Sequence, residues 1–208
     1  MTTIKGIDIS HWNRVFNFQV VKDSGIDFVI IKAGGSDKGF YTDRCFNDYY
    51  RLAKLAGLHV GAYYFVGKNF ISALDGQEDA KRLYRIIQGK TFDYPIYLDL
   101  ETTAPENKEG ATEASIAFCE YLESKGYYVG IYASDISGFK ERLDIDKLEA
   151  FDKWVARYGK RPEYVKKYGI WQKSSKGEVS GIFGNVDIDI SSRDYPSIIM
   201  KNHLNGWR

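Results

Sequence analysis

Between Ile4 and Ser134 the sequence alternates two kinds of stretch, and this alternation limits its possible folds more than any other feature. The runs "IKGIDIS", "DFVIIKAGG", "LHVGAYYFV", "YPIYLDLE" and "YYVGIYAS" read as strands, being rich in β-branched and aromatic residues. Between them, "FNFQVVKDSG", "DRCFNDYYRLAKLAG", "ALDGQEDAKRLYRIIQG" and "TEASIAFCEYLESKG" read as helices, each closing on a glycine. Asp43 lies near the start of the second helix, and Thr112 is the expected N-cap of the fourth. Strands that alternate with helices imply a parallel sheet, because a parallel return needs a long crossover.

After Ser134 the pattern changes. "DIDKLEAF" reads as a short helix, and "KWVARYG", "YGIWQKS" and "NVDIDIS" as three more strands with little helical sequence between them. Eight strands suggest closure into a barrel. With 208 residues the chain is short for a (β/α) barrel, for which about 250 is typical. The expected fold class is therefore α/β, an irregular TIM-like barrel of eight strands with several helices missing in the second half. The rival, an open doubly wound sheet, accommodates the first half but has no natural place for the last three strands. A single catalytic domain is expected over residues 1–195, with residues 196–208 a C-terminal tail or the start of a lost linker.

Sites in such barrels lie at the carboxyl ends of the strands. Asp8 is near the end of the first strand, Asp99 and Glu101 end the fourth, and Asp187 and Asp189 lie on the eighth. Closure makes the first and eighth strands neighbours, so these acids share one mouth. A structural alternative has them capping helices or pairing with Lys and Arg. Metal binding is another, since carboxylate clusters hold hard cations, but no histidine accompanies them at ligand spacing. No metal and no cofactor is expected. Paired carboxylates without a metal are the equipment of glycoside hydrolysis. Residues two apart on a strand have Cβ atoms about 6–7 Å apart, from a rise of about 3.3 Å per residue. That lies between the retaining and inverting separations, so spacing alone leaves the stereochemistry open. Lys32, Tyr63, Tyr64, Phe65, Tyr132, Trp154, Trp171 and Gln172 complete the candidate rim. Each is individually a core candidate, but together they suit a sugar cleft, with Lys32 a salt-bridge partner for the acids or a substrate contact.

Composition removes other classes. A net charge of +1, from 29 basic and 28 acidic residues, gives no footprint for nucleic acid. No apolar run approaches the roughly 20 residues of a membrane helix, so no membrane insertion is expected. The opening "MTTIKGIDIS" lacks the apolar core of a signal peptide, so synthesis in the cytosol is expected. Cys45 and Cys119 read as two thiols within helices, and "AGGSDKG" lacks phosphate-loop spacing.

In order along the chain, "GIDISHWN", "FVIIKAGGSDKGFYTDRCFNDYYRLAKLAGLHVGAYYFV", "YPIYLDLE", "WVARY" and "IWQKSSKGEVSGIFGNVDIDIS" resemble the glycoside hydrolase family 25 lysozymes, from about Ile4 to about Ser191. The resemblance implies an irregular β/α barrel and hydrolysis of the β-1,4 bond between N-acetylmuramic acid and N-acetylglucosamine in peptidoglycan. It implies Glu101 as general acid. Asp99 would orient the substrate's 2-acetamido group for attack with retention. Asp8 and Asp187 would be the remaining catalytic acids and Asp189 a substrate contact. Two positions depart from the family pattern. Lys173 stands where Tyr often follows "WQ", and Asp189 where the closing motif usually has Asn. The implied partner is the peptidoglycan glycan strand, met by a monomer acting on the bacterial wall. An endolysin origin would need a separate holin for release; the other origin is a bacterial enzyme without its leader. The alternative function is a non-catalytic module that binds wall glycan in the same cleft.

Overall fold

The computed structural model describes residues 4–207. Eight strands build the barrel: β1 (Ile4–Ile9), β2 (Phe28–Gly35), β3 (His59–Phe65), β4 (Ile96–Asp99), β5 (Val129–Ser134), β6 (Asp152–Ala156), β7 (Ile170–Gly177) and β8 (Val186–Ser191). They pair in the order β1–β8–β7–β6–β5–β4–β3–β2, and β1 also pairs with β2, which closes the cylinder. Strands β1 to β7 run parallel. Strand β8 is antiparallel to both of its neighbours. The parallel expectation fails there for a simple reason. The short link from Gly177 to Val186 holds no crossover helix, and a direct return must run antiparallel.

Helices α1 (Phe18–Asp23), α2 (Phe46–Leu55), α3 (Ala73–Ile87) and α4 (Lys108–Glu123) follow β1 to β4. Asn17 caps α1, and its side-chain oxygen accepts from the Gln19 and Val20 amides. Asp43 is not on α2. It accepts the Cys45 amide and lies 2.6 Å from His11 Nδ1. Thr112 is not an N-cap. Helix α4 begins four residues earlier, and the buried Thr112 hydroxyl donates to the Lys108 carbonyl and accepts from the Asp144 amide. Between β5 and β6 a six-residue π-helix, Asp135–Lys140, and a short 3₁₀ helix, Ile145–Leu148, stand where a full α-helix would be. Cys119 is buried on α4, whereas Cys45 immediately precedes α2; both are free thiols. Among the described residues, no helix is long and apolar enough to cross a membrane.

Strand alternation sorts side chains between two cores. Ile7, Ile9, Val29, Ile31, Val60 and Leu98 point outward and pack with α3 and α4 residues such as Leu83 and Phe118. Phe28, Tyr63, Tyr97, Tyr132, Trp154 and Ile170 point inward and fill the barrel. The inward Gly6 is required by this filling: a Cβ there would land in the Phe28 ring.

Residues 196–207, expected as part of a tail or the start of a lost linker, complete α5 (Tyr195–Lys201) and form a segment docked under the barrel. Tyr195 and Ile199 are buried against Tyr94, and Trp207 Nε1 donates to the Phe92 carbonyl at 3.0 Å. Asn205 is fully buried. Its Oδ1 accepts the Tyr128 amide at 2.7 Å, and its Nδ2 donates to the Tyr94 carbonyl at 2.9 Å. Both partners lead into barrel strands. Asn205→Ala strands two backbone groups and is expected to destabilise the fold by about 3 kcal/mol, at about 1–3 per unsatisfied buried group. Denaturant unfolding of the variant beside the parent checks this.

Candidate active site

The carboxyl end of the barrel opens into a small cleft of about 170 Å³. Asp8, Tyr63, Asp99, Glu101, Tyr132, Trp154, Tyr158, Gln172 and Asp187 line it. Eight of these nine are sequence candidates, delivered by β1, β3, β4, β5, β6, β7 and β8 or the residues just beyond them. Among the larger hollows elsewhere, those of about 460 and 300 Å³ lie beside Glu178 and Asn185 and beside Phe16 and Leu55, and those of about 430 and 400 Å³ lie beside Lys153 and Arg193 and between Phe40 and Arg82. The latter two also carry carboxylates and aromatic rings, but only the smaller cleft lies where the carboxyl ends of the barrel strands converge, with acids arriving from β1, β4 and β8, so it is the better site.

Alternation explains the candidates that fall outside. Tyr64 points away from the barrel interior; its ring packs near Phe118 of α4, and its hydroxyl reaches Asp79 of α3 at 3.5 Å. Trp171 likewise points outward, and its Nε1 donates to the Arg157 carbonyl. Asp189 is directed inward but lies one layer too deep. Because β8 is antiparallel, its mouth end is its amino end, so Asp187 pairs with Asp8 and Asp189 pairs with Gly6. Phe65 and Lys32 do not line the cleft. The Lys32 ammonium lies 4.4 Å from the Phe65 ring centroid and 5.9 Å from that of Tyr63. It makes no ion pair among the described residues and acts on Asp99 and Glu101 only through space.

Tyr158 was missed. It follows Trp154 and Ala156, both inside the barrel, at intervals of two, so strand alternation places Tyr158 on the same inner side, just past the strand. Gln172 organises this wall. Its Oε1 accepts from the Tyr132 and Tyr158 hydroxyls at 2.8 and 3.3 Å, and its Nε2 donates to Asp8 Oδ2 at 2.7 Å.

The cleft favours protonated acids. Burial is the main cause that raises the Asp99 carboxyl well above the usual range, and repulsion from Glu101 adds to it. Glu101 stands two residues further out and is open to solvent, yet enough protein crowds its carboxyl for burial to raise it as well. Lys32 opposes the rise in both. Burial, helped by Glu101, lifts Asp187 to about 6. Asp99 Oδ1 is buried with no N–H or hydroxyl donor, while the two carboxyls are within hydrogen-bonding reach. A proton held between Asp99 and Glu101 satisfies that oxygen. Such a pair can donate one proton from one carboxyl while the other stays ionised. Among the described residues, no group of three or more His, Cys, Asp or Glu is placed to hold a metal ion.

Residues 7–182 match the family described as Glycosyl hydrolases family 25. The chain is 32% identical over 187 residues to the autolytic lysozyme of Clostridium acetobutylicum, covering 89% of this chain and 55% of that protein's length. Its fold is similar to the CTP1L endolysin, with a TM-score of 0.81, 29% identity and coverage of 94% of this chain and 69% of the other. It is also similar to the autolysin LytC of Streptococcus pneumoniae in complex with a synthetic peptidoglycan ligand, with a TM-score of 0.79, 26% identity and coverage of 90% and 46%. A barrel that converges four carboxylates on an aromatic-walled mouth, matched over most of its length, makes this chain a member of glycosyl hydrolases family 25.

Proposed function

We propose that this protein is a lysozyme that hydrolyses the β-1,4 bond between N-acetylmuramic acid and N-acetylglucosamine in bacterial peptidoglycan. The observation that carries the reading is the Asp99–Glu101 pair, two proton-holding carboxyls at one mouth and two residues apart. The names of its relatives, an autolytic lysozyme and a LytC autolysin with a peptidoglycan ligand, support the substrate class.

Before substrate arrives, burial and repulsion favour the proton on the Asp99 side. A 2-acetamido group has an N–H that Asp99 accepts far more strongly as a carboxylate than as a neutral carboxyl. Its arrival therefore moves the proton to Glu101, which faces the solvent side and the leaving group. Glu101 gives that proton to the glycosidic oxygen as the C1–O bond breaks. The acetamido oxygen bonds to C1, and the Asp99 carboxylate holds the N–H as it becomes acidic. Water then attacks C1, the acetamido oxygen leaves, and Glu101 takes the water's proton. Two displacements at C1 give retention. Asp187, ionised above a pH of about 6, adds negative charge beside the developing cation, and Asp8 holds its place through Gln172. Tyr158 is half exposed and offers its ring to a sugar face. The enzyme acts as a monomer on the cell wall.

Mass spectrometry of digested, borohydride-reduced Gram-positive peptidoglycan tests the reading. The new reducing ends are expected to be muramic acid. Glucosamine ends would show the wrong bond, and retained wall binding without new ends would leave a glycan-binding module instead.

A further inference from the structure

Asp189 lies below the cleft, and no step above uses it. Its side chain is fully buried. Oδ1 accepts from Trp154 Nε1 at 2.8 Å, whereas Oδ2 is buried and meets no N–H or hydroxyl donor. The group within hydrogen-bonding reach is another carboxyl, that of Asp8 on the neighbouring strand. Asp8 is itself buried, with Oδ2 occupied by the Gln172 amide. Two ionised carboxylates present only acceptors to each other, so a buried contact between them needs a proton.

We propose that Asp8 and Asp189 act as one unit that shares a single proton, which makes Asp189 a positioning residue for Asp8. The pair then carries one negative charge instead of two. Asp8 is held from both sides, by the Gln172 amide at one oxygen and by the shared proton at the other. The groups facing the pair are Asp187 on β8, Tyr63 on β3, Tyr132 on β5, Tyr158 beyond β6, and the Trp154 and Gln172 donors. These are acids, phenols and neutral donors, none of them a cation. Burial accordingly pushes Asp8 well up and Asp189 to about 8. The proton belongs to the pair and is assigned to neither member.

The sign of the linkage makes this testable. In the unfolded chain Asp189 ionises near 3.8, whereas in the fold its carboxyl is pushed up to about 8. The stability it allows is fully present below about pH 4 and declines as pH rises towards 8. Asp189→Asn puts a permanent N–H donor where the proton was and does not titrate. The Tm of this variant minus that of the parent is expected to grow from about pH 4 to about pH 8 and then level off. On peptidoglycan, the alkaline limb of its pH–rate profile is expected to move upward. Asp189→Leu supplies no donor and is expected to lose activity across the range. The activity arm rests on the proposed function; the stability arm does not, so the two can fail separately. A Tm difference that is flat with pH, or identical pH–rate profiles for the Asn and Leu variants, overturns the shared proton. Should either variant fail to fold, the ¹³C-carboxyl NMR titration of Asp8 and Asp189 in the unmodified protein decides. A coupled two-step titration with one proton retained at pH 7 supports the proposal, and full ionisation of both at pH 7 overturns it.

Discussion

Glu101→Gln is expected to lower turnover on peptidoglycan by about 10³-fold, within the range a general acid contributes. The amide matches the carboxyl in shape but cannot give a proton to the glycosidic oxygen. The fold should be retained, because Glu101 stands open at the mouth, makes no ion pair among the described residues, and meets the barrel only through the Asp99 carboxyl, which Gln can still hydrogen-bond. The variant should therefore fold and bind wall material like the parent. Release of reducing ends measures the loss, and activity within a few-fold of the parent would remove Glu101 from the role. The variant also removes repulsion from Asp99 and Asp187, the acids whose pKa values Glu101 raises. Their carboxyls should titrate at lower pH in Glu101→Gln, a shift visible by NMR whether or not the protein is a lysozyme.

Asp99→Asn is expected to be as damaging to rate while making the protein more stable. Asn offers an amide where the substrate's acetamido N–H needs a carboxylate, so turnover should fall by about 10²–10³-fold, as for loss of a strong electrostatic partner. A mild loss of rate would count against the acetamido-assisted route. Stability moves the other way. The folded carboxyl is held well above its unfolded value, chiefly by burial, and one of its oxygens is orphaned. A carboxyl of this kind favours the fold below its unfolded pKa of about 3.8 and opposes it increasingly as pH rises. At neutral pH Asp99→Asn should melt above the parent, and the gap should narrow as pH falls towards 4. Lower rate with higher Tm is the signature of a residue placed for chemistry against the preference of the fold.

Much of the barrel was legible because it is written in local periodicity. Glycine stops and apolar runs located all eight barrel strands and the first four helices, and position near a strand's carboxyl end picked out Asp8, Tyr63, Asp99, Tyr132, Trp154 and Gln172, all of which line the cleft. Tyr64 and Trp171 were misplaced although strand alternation excludes them, since each sits one residue from an inward neighbour. Tyr158 was recoverable by that rule and overlooked. The Thr112 cap failed because Thr at a helix start and Thr inside a helix, back-bonded to the preceding turn, look alike in sequence.

What the sequence determines by itself is therefore the strand set and the face on which each acid lies, because side-chain alternation is a property of the strand alone. Depth, pairing and charge state were decided only by the tertiary structure. The direction of β8 follows from a connection too short for a crossover, and that direction lifts Asp187 to the mouth and sinks Asp189 beneath it. The docking of residues 195–207 depends on backbone groups of Phe92, Tyr94 and Tyr128, more than 60 residues away in the chain. The raised carboxyls depend on burial and on acids brought together across closed strands, which no interval along the chain encodes.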